Sequence, residues 1–253
     1  MKTNRLLVFS SFIILFVCCN GNKKSSPYLL VESSFENSNP FSEWTADQHC
    51  CDYSITQNKE KYTDGTQSIR IEVRDSDPKI SGSFRAELVQ EVDEPITERW
   101  YGFNMYLEDW ADDVAGESAF EWHPDNAKGV SAASLWLSDG KYVFQTNPGD
   151  TNTGSEYTDI GPILNNQWVA WVIHVKWTTD NTGVLQVWQN GKPVIDKTHI
   201  KTCSPDGVYF KLGLNKFGWG SKPSTVSKRV IYYDEIRIGD ERAIYETVKP
   251  SLK

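Results

Sequence analysis

Residues 209–219 read YFKLGLNKFGW. Apolar and polar side chains alternate along it with a period of two. Phe210, Leu212 and Leu214 fall on one side, and Tyr209, Lys211 and Asn215 on the other. Successive side chains of a β-strand point to opposite faces, so the stretch predicts a strand with one face on a core. The question is what the column of tyrosine, lysine and asparagine does on the remaining face.

Period-two segments recur along the chain. SIRIEVR (68–74) predicts Ile69, Ile71 and Val73 inside, with Arg70, Glu72 and Arg74 outside. SFRAELVQ (83–90) predicts Phe84, Ala86 and Leu88 inside, with Arg85 and Glu87 outside. WYGFNMYL (100–107), KYVFQT (141–146), WVAWVIHVKW (168–177) and RVIYYDEIRI (229–238) read likewise. In VLQVWQNGKPVI (184–195), Asn190–Gly191 stands between two apolar runs and predicts a tight hairpin. No amphipathic pattern is long enough for a helix of more than about three turns. The expectation is all-β: a two-sheet antiparallel β-sandwich, most simply a jelly roll, as one domain over residues 28–253.

The chain opens MKTNRLLVFSSFIILFVCCNGNKKSS. Lys2 and Arg5 precede an apolar run, Leu6 to Val17, too short to span a bilayer and suited to a secretory signal. The run ends at Cys18–Cys19 before a polar tether at 20–27, a pattern that resembles a bacterial lipoprotein signal, residues 1–19. Cys19 fits acylation slightly better than Cys18; a plain secretory signal is the alternative. Cell-envelope or secreted residence follows, with membrane contact only through the lipid.

Formal charge is -8, and loss of Lys2 and Arg5 leaves the mature chain more acidic still. That argues against nucleic acid as a partner. A local basic cleft for an anionic sugar is compatible with it. A monomer is expected. Cys50, Cys51 and Cys203 remain after the leader. An odd number in an exported chain suggests one bridge and one free thiol, Cys203 pairing with Cys50 or Cys51.

Three strands combine on one face. Arg85 and Glu87 oppose Phe84, Ala86 and Leu88; Glu121 and His123 oppose Phe120 and Trp122; Tyr209, Lys211 and Asn215 oppose the apolar side of the opening stretch. If the apolar sides share a core, these seven polar residues face outward, and neighbouring strands would gather them. Any half-buried antiparallel sheet has a polar outer face. The combination of guanidinium, imidazole and phenol is the unusual feature.

The motifs RAEL, EWH and YFKLGLNKF resemble three strand motifs of the jelly-roll polysaccharide lyases, whose fold is concanavalin-like. Alginate lyases of this kind carry R-x-E-L, Q-x-H and Y-F-K-x-G-x-Y strands. WYGFNMYLEDW, WQNGKPV and IYYDEIRIGD look more like the heparin lyase I and glucuronan lyase group, and the likeness covers residues 28–240. The resemblance implies cleavage of a uronate-containing polysaccharide by β-elimination, with no cofactor required for the chemistry. Such a reaction removes a proton alpha to a carboxylate whose developing charge must be neutralised, while an acid supports the leaving oxygen. Carried over by motif, Arg85, His123 and Tyr209 are the catalytic candidates. Glu121, Lys211 and Asn215 line the sugar track, and Trp219 beyond the strand could stack on a sugar.

Two positions depart from the motifs. The glutamine before x-His is Glu121, whose carboxylate would repel a uronate unless protonated, paired or cation-bound. The last tyrosine of Y-F-K-x-G-x-Y, the usual proton-transfer residue, is Asn215, which does no acid–base work near neutrality. Three accounts stand open. His123 may pair as base with another tyrosine (Tyr209, Tyr233, Tyr106 or Tyr101), the chemistry has drifted, or the protein binds carbohydrate without cutting it. A sandwich glycoside hydrolase is a further class, but the E-x-D-x-x-E strand signature is absent. Asp234 in RVIYYDEIRI falls by alternation on the side of Val230, Tyr232, Ile236 and Ile238. A buried carboxylate needs a partner, either a structural calcium shared with Glu36 of SSFEN or protein donors.

Overall fold

The computed structural model describes residues 26–90, 98–124, 130–147, 154–203 and 207–251. The leader with Cys19 lies outside the described residues. The strands are, in chain order, β1 (Leu29–Ser33), β2 (Ala46–Gln48), β3 (Ile55–Asn58), β4 (Ser68–Arg74), β5 (Phe84–Gln90), β6 (Glu98–Leu107), β7 (Glu117–Pro124) and β8 (Ala133–Ser138). They continue as β9 (Lys141–Thr146), β10 (Glu156–Pro162), β11 (Trp168–Lys176), β12 (Gly183–Gln189), β13 (Lys192–Ile200), β14 (Val208–Lys216) and β15 (Lys228–Gly239). A single helical turn, α1 (Tyr245–Val248), follows.

These strands make two antiparallel sheets. One runs β13-β12-β11-β6-β15-β4-β3, with β1 on β15; the other runs β10-β9-β8-β7-β14-β5-β2. The inner faces meet in one core. Ile69, Ile71, Phe103, Trp171 and Tyr233 come from the first sheet, and Leu88, Phe120, Trp122, Phe210 and Leu212 from the second. Aromatic edges lock the layers: Phe103 meets Phe120 at 5.1 Å between ring centroids, and Tyr101 meets Trp122 at 5.1 Å. Each such ring contributes roughly 1.5–3 kcal/mol through burial alone. The hairpin falls where expected, with Asn190 and Gly191 at φ 49° and 77° joining β12 to β13.

Three expectations change. Glu72 is buried, because Arg70 and Arg74 on the same face of β4 clasp its carboxylate. The alternation of β15 breaks at Glu235, where φ is 52° and the pairing with β6 shifts. Ile231 and Tyr233 face the core before the shift, and Ile236 and Ile238 after it. Asp234 is therefore on the other face, yet fully buried. Its Oδ2 accepts from the Thr63 amide at 2.6 Å, the Thr63 hydroxyl at 2.8 Å and the Asp64 amide at 3.2 Å. Glu36 accepts from the Thr66 and Gln67 amides at 2.9 and 2.8 Å. Protein donors from one loop, 63–67, thus answer the burial of Asp234 and hold Glu36.

The third change concerns the cysteines. Cys50 and Cys51 are joined to each other, and Cys203 is a buried free thiol. Cys203 follows β13 and Cys51 precedes β3, the two opposite edges of the larger sheet. Six strand spacings, about 29 Å, separate those edges, far beyond disulfide reach. Burial pushes the Cys203 thiol up to about 11, so it is inert.

Candidate active site

The site is built on β7, β14 and β5, which lie side by side in that order. Cross-strand register places Tyr209 opposite His123, Lys211 opposite Glu121, and Asn215 opposite Arg85. Directly opposed residues share a face, so all of these leave the sheet on the side away from the core. Trp122 is on the inner face, as alternation required. Gly213 faces Glu87 at φ 145°, in a bulge that shifts the β14–β7 pairing between Leu212 and Asn215.

The face is less open than alternation alone suggests. Lys211, Glu87, Glu121 and Asn215 are all buried, with Lys211 only 2% exposed. These long side chains on adjacent strands pack against and satisfy one another. Lys211 Nζ lies 3.4 Å from Glu87 and 3.8 Å from Glu121. Arg85 pairs with Glu87 at 3.1 Å. Gln48, on the edge strand β2, accepts from both Arg85 at 3.2 Å and Lys211 at 3.0 Å. Ser131 donates to Glu121 at 2.8 Å, and Ser83 donates to Asn215. Glu121 is one carboxylate of a balanced quartet with Glu87, Arg85 and Lys211. Burial first, then the Glu121 charge, pushes Glu87 from the usual carboxylate range up to about 7.

His123 and Tyr209 are half-buried at one end of this network, with ring centroids 5.5 Å apart. Lys211 Nζ sits 5.6 Å from the Tyr209 ring centroid. His123 Nδ1 is 3.1 Å from the Pro124 carbonyl oxygen. A carbonyl only accepts, so this contact places a proton on Nδ1, and in that tautomer the lone pair is at Nε2. This is the disposition of a base. Arg85 keeps a buried Nε with no hydrogen-bond partner among the described residues.

Arg85 and Tyr209 stand six positions apart along β14, about 20 Å by strand rise. Arg85 is therefore joined to the His123 end through Gln48, Glu87 and Lys211 rather than by contact. Trp219 lies past the Arg85 end. Its ring meets Phe84 edge-on at 5.6 Å and its Nε1 donates to Ser224 at 3.0 Å. Of the alternative tyrosines, Tyr101 and Tyr233 are in the core, and Tyr106 packs against Tyr232 on the other sheet. Gln48 and Ser131 escaped the sequence reading because they come from a short edge strand and a loop without a period, and Ser83 because it stands at the very start of its period-two segment.

Among the described residues, Cys50, Cys51 and Asp77 are the group that could offer three metal ligands, and the first two are spent in a disulfide.

Comparison with known proteins follows this geometry. No curated protein matches the chain by sequence. Among solved structures, an endo-β-1,4-glucuronan lyase from the fungus Trichoderma reesei is similar, with a TM-score of 0.72 and 18% identity over 88% of this chain and 98% of that one. The marine alginate lyase from Aplysia kurodai shares a TM-score of 0.58 and 12% identity, covering 84% of this chain and 99% of that one. The family 7 alginate lyase A1-II' shares 0.56 and 13%, covering 76% and 85%. At such identities these likenesses establish the jelly-roll fold, and fold by itself does not carry activity. The polysaccharide lyase sequence model, however, matches residues 36–237, spanning β2 through most of β15 and every strand of the site. The chain therefore belongs to the polysaccharide lyases.

Proposed function

We propose that this lyase cleaves a uronate-containing polysaccharide by β-elimination on the outer face of β5, β14 and β7. The observation that supports it most is the direct opposition of His123 and Tyr209, an imidazole held through Nδ1 at the Pro124 carbonyl beside a phenol. In this reading His123 Nε2 takes the C5 proton, and the Tyr209 hydroxyl gives a proton to the departing O4. Lys211, just beneath, supplies positive charge under the developing enolate, and Arg85 neutralises a carboxylate further along the chain. Asn215 is a structural partner of Ser83 and Arg85 rather than a proton carrier.

The test is a panel led by glucuronan and alginate, with ulvan and glycosaminoglycans, read by the ultraviolet absorbance of a C4–C5 double bond. Wild type should generate it. His123→Ala and Tyr209→Phe should each lower turnover by about 10²-fold or more while binding the polymer. No absorbance from any polymer, or saturated product ends, would overturn the reading. We also infer that the enzyme is a monomer of the bacterial cell envelope, acylated at Cys19.

A further inference from the structure

The sandwich has a second opening, where the edge strands β10 and β13 of the two sheets face each other. Between them lies a cavity of about 260 Å³. Its wall is apolar, formed by Val175, Leu185 and Trp177 of the core. Two lysines, Lys197 and Lys201, also line it, with the imidazole of His199 and the amides of Asn147 and Asn181.

The local sequence explains this lining. Lys197 pairs with Leu185 across β12–β13 and so leans to the inner side. The register then skips His199, because Thr198 faces Val184 while Ile200 faces Gly183. His199 takes up the extra residue at φ 57°. Lys197, His199 and Lys201 all line the cavity around this irregularity. An inward lysine on an edge strand can serve merely to discourage pairing with another chain. That role accounts for Lys197, which meets Glu156 of β10 at 3.0 Å. It accounts for neither the cavity nor Lys201 and His199. Among the described residues, Glu156 is the one acidic residue in the lining, and it is already engaged. Among the described residues Lys201 has no ion pair, and the His199 ring has one hydrogen-bond contact, with its neighbour Thr198 at 3.1 Å. In a chain of net charge -8, an excess of positive charge around an apolar slot selects an anion with an apolar face.

We propose that this cavity is a second binding site, separate from the β5–β14–β7 face, for a carboxylated mono- or disaccharide. Lys201 and His199 hold the carboxylate, and the C–H face of the ring lies against Trp177. The volume is below the roughly 300–1,000 Å³ of larger ligand pockets, which limits the occupant to one or two rings. The identity of the sugar as a uronate rests on the function proposed above; the charge and shape of the site do not.

The experiment titrates the full chain with sodium glucuronate and, separately, with cellobiose, following tryptophan fluorescence and NMR shifts. The protein is used as wild type, His123→Ala, Lys201→Met, and the double variant Lys201→Glu/His199→Ala. Both altered positions are at least partly exposed, and unchanged melting temperatures establish that the variants fold. Saturable glucuronate binding is expected in wild type and His123→Ala alike. It should weaken about tenfold in Lys201→Met and further in the double variant, the loss of one or two charge-assisted hydrogen bonds. Cellobiose should bind at least about tenfold more weakly than glucuronate. Glucuronate binding that is absent, or equal in the double variant, overturns the site even if wild type cuts uronate polymers. Lys201-dependent binding by a protein that cuts no polymer upholds the site and overturns the proposed lyase substrate instead.

Discussion

Glu87 shows how one residue can report on the whole polar face. Its motif neighbours Arg85 and Leu88 were legible as an outward cation and an inward apolar group, but its burial was not. Its ionisation is disfavoured by burial and by Glu121, which raises it to about 7 in the folded chain. The unfolded chain loses that proton near the ordinary carboxylate value of about 4.3. Between these limits the folded state binds the extra proton, so its stability falls as pH rises from about 4.5 to 7. Glu87→Gln should flatten this part of the stability–pH curve, as measured by urea denaturation at pH 5, 6 and 7. An unchanged slope would show that Glu87 is not the group responsible. At the same scale, Asn215 was correctly read as unable to carry protons, and its contact with Ser83 gives it a holding role.

At the scale of elements, β14 is the keystone, since it pairs with β7 on one side and β5 on the other. Its bulge at Gly213 sets which residue of β7 meets Lys211 and which meets Asn215. A Cβ at Gly213 would fall 2.2 Å from the Ala86 carbonyl oxygen, and the φ of 145° is one that L side chains rarely adopt. Backbone cannot yield there as a flexible side-chain tip can. Gly213→Ala should therefore destabilise the protein by about 3 kcal/mol or more, seen as a lowered melting temperature. Lyase turnover should fall at temperatures where the variant remains folded, because the two halves of the site lose register. Wild-type melting and turnover would refute this account of the bulge. The bulge at Glu235 is the counterpart in the other sheet, and it explains why simple alternation misplaced Asp234.

The described part of the sandwich begins at Ser26. Among the described residues, every strand of both sheets lies within residues 29–239. A version starting at residue 26 should melt within about 2 °C of the full chain, a stability difference below about 1 kcal/mol. The full chain expressed in a bacterium should incorporate labelled palmitate, and Cys19→Ser should abolish that labelling. Label retained in Cys19→Ser would overturn acylation at that residue, and a much lower melting temperature in the short version would overturn the independence of the sandwich.

Fold class, the hairpin at Asn190–Gly191, and the grouping of Arg85, Glu87, Glu121, His123, Tyr209, Lys211 and Asn215 on outward faces were all readable from the chain. Side-chain direction in a strand follows from a two-residue period, which is local information. What lies beside a strand, and how far along, is not local. Adjacency of β5, β14 and β7, the burial of Lys211, the bridge supplied by Gln48, the Cys50–Cys51 pairing and the cationic cavity between β10 and β13 were decided by tertiary structure. Apart from the bridge between the neighbours Cys50 and Cys51, each depends on sheet order, bulges and edge positions that bring together residues tens to more than a hundred positions apart, and no period in the sequence records those distances.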